Sequence, residues 1–162
     1  MADKADKADK TKEREKALKY IQLAQHNANL FSKDPHTKVG SIVLTADFSR
    51  ILSTGINGFP RKMNDDDPQR WERPAKYLLI SHSESNSIAN AARTGTPLDG
   101  SVMAVTKFPC SQCAKLLIQS GIKKIYTTMP DYDDPTWGAD ALLSEQMLHE
   151  VGVEVVKFTD AI

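Results

Sequence analysis

From about Glu13 the apolar positions recur with a helical period, and Leu18, Ile21, Ala24, Ala28 and Phe31 share one face. Asp34-Pro35 should close this helix, because the residue before a proline is driven out of the α region. Two runs rich in β-branched residues follow, Val39 to Thr45 and Ile51 to Ile56, joined by a polar turn, and both read as strands. Residues 59–80 hold Pro60, Pro68, Pro74 and the run Asp65-Asp66-Asp67, and read as one long loop with the acids on a solvated face. A second helix is expected from near Ser83 to Arg93-Thr94-Gly95, then a strand over Val102 to Thr106. A third helix should start at the Pro109-Cys110 turn and stop at Ser120-Gly121, where glycine supplies the usual C-terminal signal. Strands over Lys124 to Met129 and Val153 to Phe158 flank a last helix from about Ala139 to Glu150. Helices alternate with strands after the first pair, so the chain reads as an α/β sandwich around a mixed sheet.

Ahead of this pattern, residues 2–10 repeat Ala-Asp-Lys with no apolar face. Residues 1–12 are therefore expected to form a flexible tail, and 13–162 a single domain. No stretch approaches the ~20 apolar residues that span a bilayer, and no secretory h-region is visible. The expected location is thus a reducing cytoplasm, where thiolates remain available to a metal. Lys and Arg total 21 and so do Asp and Glu, and this zero net charge argues against a general polyanion binder. A small anionic substrate needs only two or three local cations, so a small ligand is favoured over a nucleic acid such as tRNA or DNA.

Candidate chemistry sits in two short segments, His82-Ser83-Glu84 and Pro109-Cys110-Ser111-Gln112-Cys113. They offer one imidazole, two thiols and a carboxylate not needed as a ligand. Three protein ligands on Zn²⁺ leave the fourth position open to water, which marks a catalytic rather than a structural site. A carboxylate beside that position is what hydrolytic deamination of a nucleobase requires. Blander readings exist for each part. A Cys-x-x-Cys pair also serves redox chemistry, and a closed zinc site would need His26, His36 or His149 as a fourth ligand, none at a typical ligand spacing. Ser81-His82-Ser83-Glu84 also fits a capping box, in which Glu84 would only reach back to the helix start.

Together the two segments resemble the zinc-binding motifs of the cytidine deaminase superfamily. Lys33 to Gly40, Gly55-Ile56-Asn57-Gly58-Phe59-Pro60 and Cys113 to Lys123 are similar to its deoxycytidylate (dCMP) deaminase branch, and the resemblance runs from about Glu13 to Phe158. It implies a three-layer sandwich with a central mixed five-stranded sheet, and zinc between the second and third helices. It also implies His82, Cys110 and Cys113 as ligands, and conversion of dCMP to dUMP with Glu84 moving the protons. A homo-oligomer, a hexamer or dimer, and dCTP and dTTP as effectors come from the same resemblance. The family usually reads His-Ala-Glu-Leu-Asn-Ala, where this chain has Ser83, Ser85 and Ser87 for the first Ala, the Leu and the last Ala, and Ile56 replaces a Tyr before Asn57.

Substrate contacts are expected from Asn57, Lys38, Ser83, Phe108, Pro109 and Arg61. Asn57 lies in a Gly-x-Asn-Gly turn; turn chemistry alone explains it, while the resemblance sets it against base or sugar. Phe108 suits stacking on a pyrimidine and suits a core equally. Lys38 and the Arg61-Lys62 pair lead as partners of a 5′-phosphate, ahead of the loop arginines Arg70 and Arg73. Other readings stay open: deamination of free cytidine, cytosine, guanine, a riboflavin precursor or tRNA adenosine, or a catalytically weak zinc-bound nucleotide sensor.

Overall fold

The computed structural model describes residues 2–159, with side chains from residue 8 onward. Five strands form one mixed sheet in the order β2-β1-β3-β4-β5: β1 Gly40–Leu44, β2 Ile51–Ile56, β3 Val102–Val105, β4 Lys124–Thr128 and β5 Glu154–Phe158. β1 is antiparallel to both β2 and β3, and β3, β4 and β5 run parallel. Five helices accompany them: α1 Ala2–Phe31, α2 Ala75–Leu79, α3 Ser83–Thr94, α4 Ser111–Gln119 and α5 Gly138–Glu150.

The sheet's middle strands are buried on both faces, and the period-2 alternation sorts their side chains between two cores. Ile42, Leu44, Val102 and Ala104 pack with Ala17, Ile21 and Ala24 of α1 and with Tyr126 and Phe158. Val43, Met103 and Val105 pack with Ala91 of α3, Ala114 and Leu117 of α4, and Leu148 of α5. This is the expected three-layer sandwich, with α1 on one face and the other long helices on the opposite one. Gly40 lets α1 approach the sheet, since a Cβ there would lie 2.0 Å from the Ala24 carbonyl oxygen.

Three sequence expectations change. The buried stripe of α1 is Ala17, Ile21, Ala24 and Ala28, whereas Phe31, at the frayable last position, is 67 % exposed. Residues 2–12 continue α1 as helix rather than irregular tail, with residues 8–12 exposed. Ala and Lys are good helix formers, and no Gly or Pro interrupts the run between Ala2 and the packed part of the helix. Residues 59–80 contain local structure: a 3-10 turn at Pro68–Trp71 and the short helix α2. Trp71 is buried, stacks on Phe59 with ring centroids 4.1 Å apart, and donates from Nε1 to the Asp65 carbonyl at 2.9 Å. Lys33 reaches the acidic run, 2.7 Å from Asp65 Oδ1. Among the described residues no helix is long and apolar enough to cross a membrane.

Candidate active site

The carboxyl ends of β3 and β4, the start of β1 and the end of β2 meet at one edge of the sheet, because Ser41 pairs with Val105 and Gly40 with Ile56. In open α/β sheets this edge is where crevices form. α3 and α4 both begin there. The start of α3 lies directly on β2, since a Cβ at Gly55 would sit 2.0 Å from the Ser83 carbonyl oxygen. Ser41 Oγ donates to that same oxygen at 2.8 Å, and Asn86 Nδ2 to Ile56 O at 2.7 Å, so the first turn of α3 is fixed from both sides.

His82 occupies the N-cap of α3 in an extended conformation, and Cys110 the N-cap of α4. His82 Nδ1 stands 3.4 Å from Cys110 Sγ and 3.6 Å from Cys113 Sγ. The three ligand atoms lie within 4.8 Å of one another, and no other group of three or more ligating side chains occurs among the described residues. One nitrogen and two sulfurs around a common point suit a tetrahedral zinc ion with one position open. The capping-box reading of Glu84 fails: the Ser81 N–H donates to Gly58 O at 2.8 Å, leaving no free donor for Glu84. Glu84 is instead 3 % exposed and accepts from Ser83 Oγ at 2.9 Å.

Charge in this cluster is strongly coupled. A hydrogen bond from Cys113 outweighs burial and holds the Cys110 thiol down at about 4, with a second bond from His82 helping. That same bond, with burial, drives Cys113 upward. His82 is raised chiefly by its hydrogen bond to Cys110, against burial. Zn²⁺ bound by these three groups would displace the protons they hold. Burial pushes Glu84 above the ordinary carboxylate range, while His82, a backbone bond and the Ser83 hydroxyl pull the other way.

These groups open into a cavity of about 360 Å³, lined by His82, Ser83, Glu84, Phe108, Pro109 and Cys110 on its metal side. Asn57 also lines it, but every amide atom is engaged by protein: Oδ1 accepts from Ser32 Oγ and the Val39 N–H, both at 2.9 Å, and Nδ2 donates to Asp34 Oδ2 at 3.0 Å and Thr37 O at 2.8 Å. Asn57 thus organises the 32–39 segment and presents a finished wall. Two expected phosphate partners lie outside the cavity. Thr37 and Val39 line it, but Lys38 between them does not; it is exposed and donates to Asn29 O at 3.2 Å. Arg61 turns onto the outer side of α3 and hydrogen-bonds Asn90 Oδ1.

Cations that do line the cavity are Arg73, Lys76 and Lys107. Lys76 is buried and held 2.7 Å from Asp34 Oδ2. Arg73 lies over the Tyr77 ring at 5.3 Å, and neither it nor Lys107 forms an ion pair among the described residues. Three acids share the rim, yet each is turned onto backbone amides: Asp131 to Asp133, Asp134 to Thr136 and Trp137, and Asp140 to Ser111. From the sequence Arg73 was expected only after Lys38 and the Arg61-Lys62 pair, together with Arg70, and Lys107, Lys76 and Asp140 were not expected at all. Lys107 stands next to Phe108, and that proximity to the cysteine turn was the one available signal.

Residues 14–129 match the sequence model of the cytidine and deoxycytidylate deaminase zinc-binding region. The chain belongs to this family. Zinc is accordingly its cofactor, and the protein is a zinc-dependent deaminase. An uncharacterised deaminase in the luxG 3′ region of Aliivibrio fischeri is 38% identical over 140 residues, covering 86% of this chain and 90% of that one. Human deoxycytidylate deaminase is 35% identical over 133 residues, covering 78% of this chain and 71% of the human protein. The dCMP deaminase of the cyanophage S-TIM5, solved in complex with dCMP and dUMP, superposes with a TM-score of 0.67 at 27% identity, covering 86% of this chain and 93% of that chain. The deaminase fold explains what the three serines of α3 do here. Ser83 Oγ donates to Glu84 Oε2, Ser85 Oγ to His82 O at 2.9 Å, and Ser87 Oγ to Glu84 O at 2.8 Å. Each hydroxyl is returned to the metal and proton-handling turn, so the departures from Ala and Leu leave no stray polar group in the wall.

Proposed function

We propose that this deaminase converts dCMP to dUMP with release of ammonia. The observation that carries the reading is a buried, cavity-facing Glu84 beside the His82, Cys110 and Cys113 cluster, in a chain whose relatives include deoxycytidylate deaminases. His82, Cys110 and Cys113 hold the zinc, which when bound supplies a water molecule acidified enough to react near neutral pH. Glu84 accepts a proton from the attacking water and hands it to ring N3 of the cytosine, then takes the remaining proton of the oxygen added at C4 and delivers it to the amine, so that the C4–N bond breaks and ammonia leaves. A carboxyl raised by burial suits this double duty, because the same group must serve as base and then as acid. Phe108 and Pro109 form the wall against which the pyrimidine lies, and Ser83 holds Glu84 in its working rotamer.

The 5′-phosphate is assigned to Arg73 and Lys107, the cavity cations without an ion-pair partner among the described residues, in place of Lys38 and Arg61. Residues 13–162 make up the deaminase domain. It works as a homo-oligomer with dCTP and dTTP as effectors, as the resemblance to the dCMP branch implies, and in the cytoplasm, where a reducing environment keeps Cys110 and Cys113 available to the metal. The test is to follow loss of cytosine absorbance and release of ammonia from zinc-loaded protein given dCMP. Equimolar dUMP and ammonia are expected; no turnover of dCMP by protein with full zinc would refute the reading. Cytidine, cytosine and guanine as alternative substrates separate the other deaminase activities.

A further inference from the structure

α4 begins with an unusual arrangement. Its N-cap residue, Cys110, has a side chain wanted by the metal, although an N-cap side chain normally satisfies the exposed N–H groups of the first turn. Cys110 Sγ accepts from the Cys113 N–H at 3.5 Å, an ordinary distance for sulfur. The N–H of Ser111, wedged between the two cysteines, goes instead to a carboxylate from another helix: it donates to Asp140 Oδ2 at 2.8 Å, and Ser111 Oγ donates to Asp140 Oδ1. Both oxygens of Asp140 are thus committed to one residue of the metal turn. Asp140 lies in the first turn of α5, whose start is itself fixed. The Gly138 N–H donates to Asp134 O at 2.8 Å, and a Cβ on Gly138 would meet Tyr132 O at 2.1 Å.

We propose that Asp140 is a positioning residue for the zinc site: it clamps the Cys110–Cys113 turn from α5 through the N–H and hydroxyl of Ser111. Loss of the carboxylate lets the turn shift against His82, so that the sulfur ligands are misplaced. Outer residues that hold metal ligands in this way typically alter metal affinity by about 10–100-fold when removed. The inference rests on zinc being held by His82, Cys110 and Cys113.

The experiment measures zinc affinity of the full chain by competition with a chromophoric chelator at fixed pH, and the thiolate-to-cobalt absorption of the Co²⁺-loaded protein. Asp140→Ala should bind zinc about 10–100-fold more weakly and show a shifted cobalt spectrum. Asp140→Asn can offer the same two bonds, with its amide donating to Ser111 Oγ, and should stay close to the unsubstituted protein. Ser111→Ala removes only the hydroxyl half of the clamp and should give a smaller loss of the same sign, which serves if Asp140→Ala fails to fold. An Asp140→Ala protein with unchanged affinity and spectrum overturns the proposal. So does an Asp140→Asn protein as weak as the alanine variant, since charge and not the clamp would then be responsible. Failure of the unsubstituted protein to bind about one zinc per chain would instead sink the ligand assignment underneath both.

Discussion

Glu84 and Asp34 are both buried carboxyls on the cavity, and their neighbours give them opposite jobs. Glu84 is pushed up by burial and retains a single side-chain donor, Ser83. Replacing it with Gln keeps shape and zinc ligands but cannot move protons, so turnover should fall at least ~10²–10⁴-fold with zinc content intact; surviving activity would return Glu84 to a structural role. Asp34 is also penalised by burial, but Lys76 and the backbone N–H groups of His36 and Thr37 outweigh it and hold the carboxyl below its ordinary value. A depressed carboxyl contributes stability that is complete above the unfolded pKa of about 4 and is lost as pH falls through the lower folded value. Asp34→Asn leaves Lys76 buried without its counter-charge and should cost about 3–5 kcal/mol at neutral pH, flattening the acid limb of the stability curve. The double variant Asp34→Asn/Lys76→Met should recover part of that loss in denaturant titrations; no recovery would mean the pair is not coupled. His82, Glu84, Cys110 and Cys113 were legible in the sequence because metal chemistry fixes residue type and spacing together. That Lys38 and Arg61 stand outside the cavity was not legible, because a cation's type says nothing of which side of the chain it faces.

At the scale of elements, every strand and every long helix was visible, from the helical period of α3 and α4, from β-branched apolar runs such as β1 and β3, and from the Pro and Gly signals that bound them. What stayed hidden lacks such signals. α2 is five residues long, the 3-10 turn at Pro68–Trp71 shorter still, and both are held by tertiary contacts such as the Phe59–Trp71 stack rather than by local pattern. The seating of α3 on β2 was hidden for a related reason, since a lone glycine in a strand does not say what approaches it. Gly55 makes that seating close, with Ser83 O and Ser87 N both inside the space of a Cβ. Gly55→Ala should therefore destabilise the fold by ~1–3 kcal/mol, the usual range for overpacking. It should also lower kcat/KM, because His82 and Glu84 move with the start of α3. An alanine variant with normal stability and activity would show that α3 is not fixed by this contact.

Taken as a whole, the molecule places its metal cluster at the carboxyl edge of a sheet closed by helices on both faces, where it opens into a cavity. The outer wall is supplied by segments distant in sequence: the 32–39 stretch, α2, and the stretch from Thr128 to Trp137. No local pattern foretells that convergence, which is why the cations that line the cavity emerge only from the fold. If Arg73 and Lys107 hold the phosphate, alanine at either should raise KM for dCMP at least ~10-fold, the scale of one charge-assisted contact. Lys38→Ala and Arg61→Ala should leave KM unchanged, and the reverse pattern would overturn the assignment. The account as a whole turns on the nucleotide itself, and the direct measurement is kcat/KM for dCMP against deoxycytidine at one pH and salt concentration. A ratio above ~10², about 2.7 kcal/mol of transition-state binding, is predicted; a ratio near one, or a preference for the nucleoside, would contradict it.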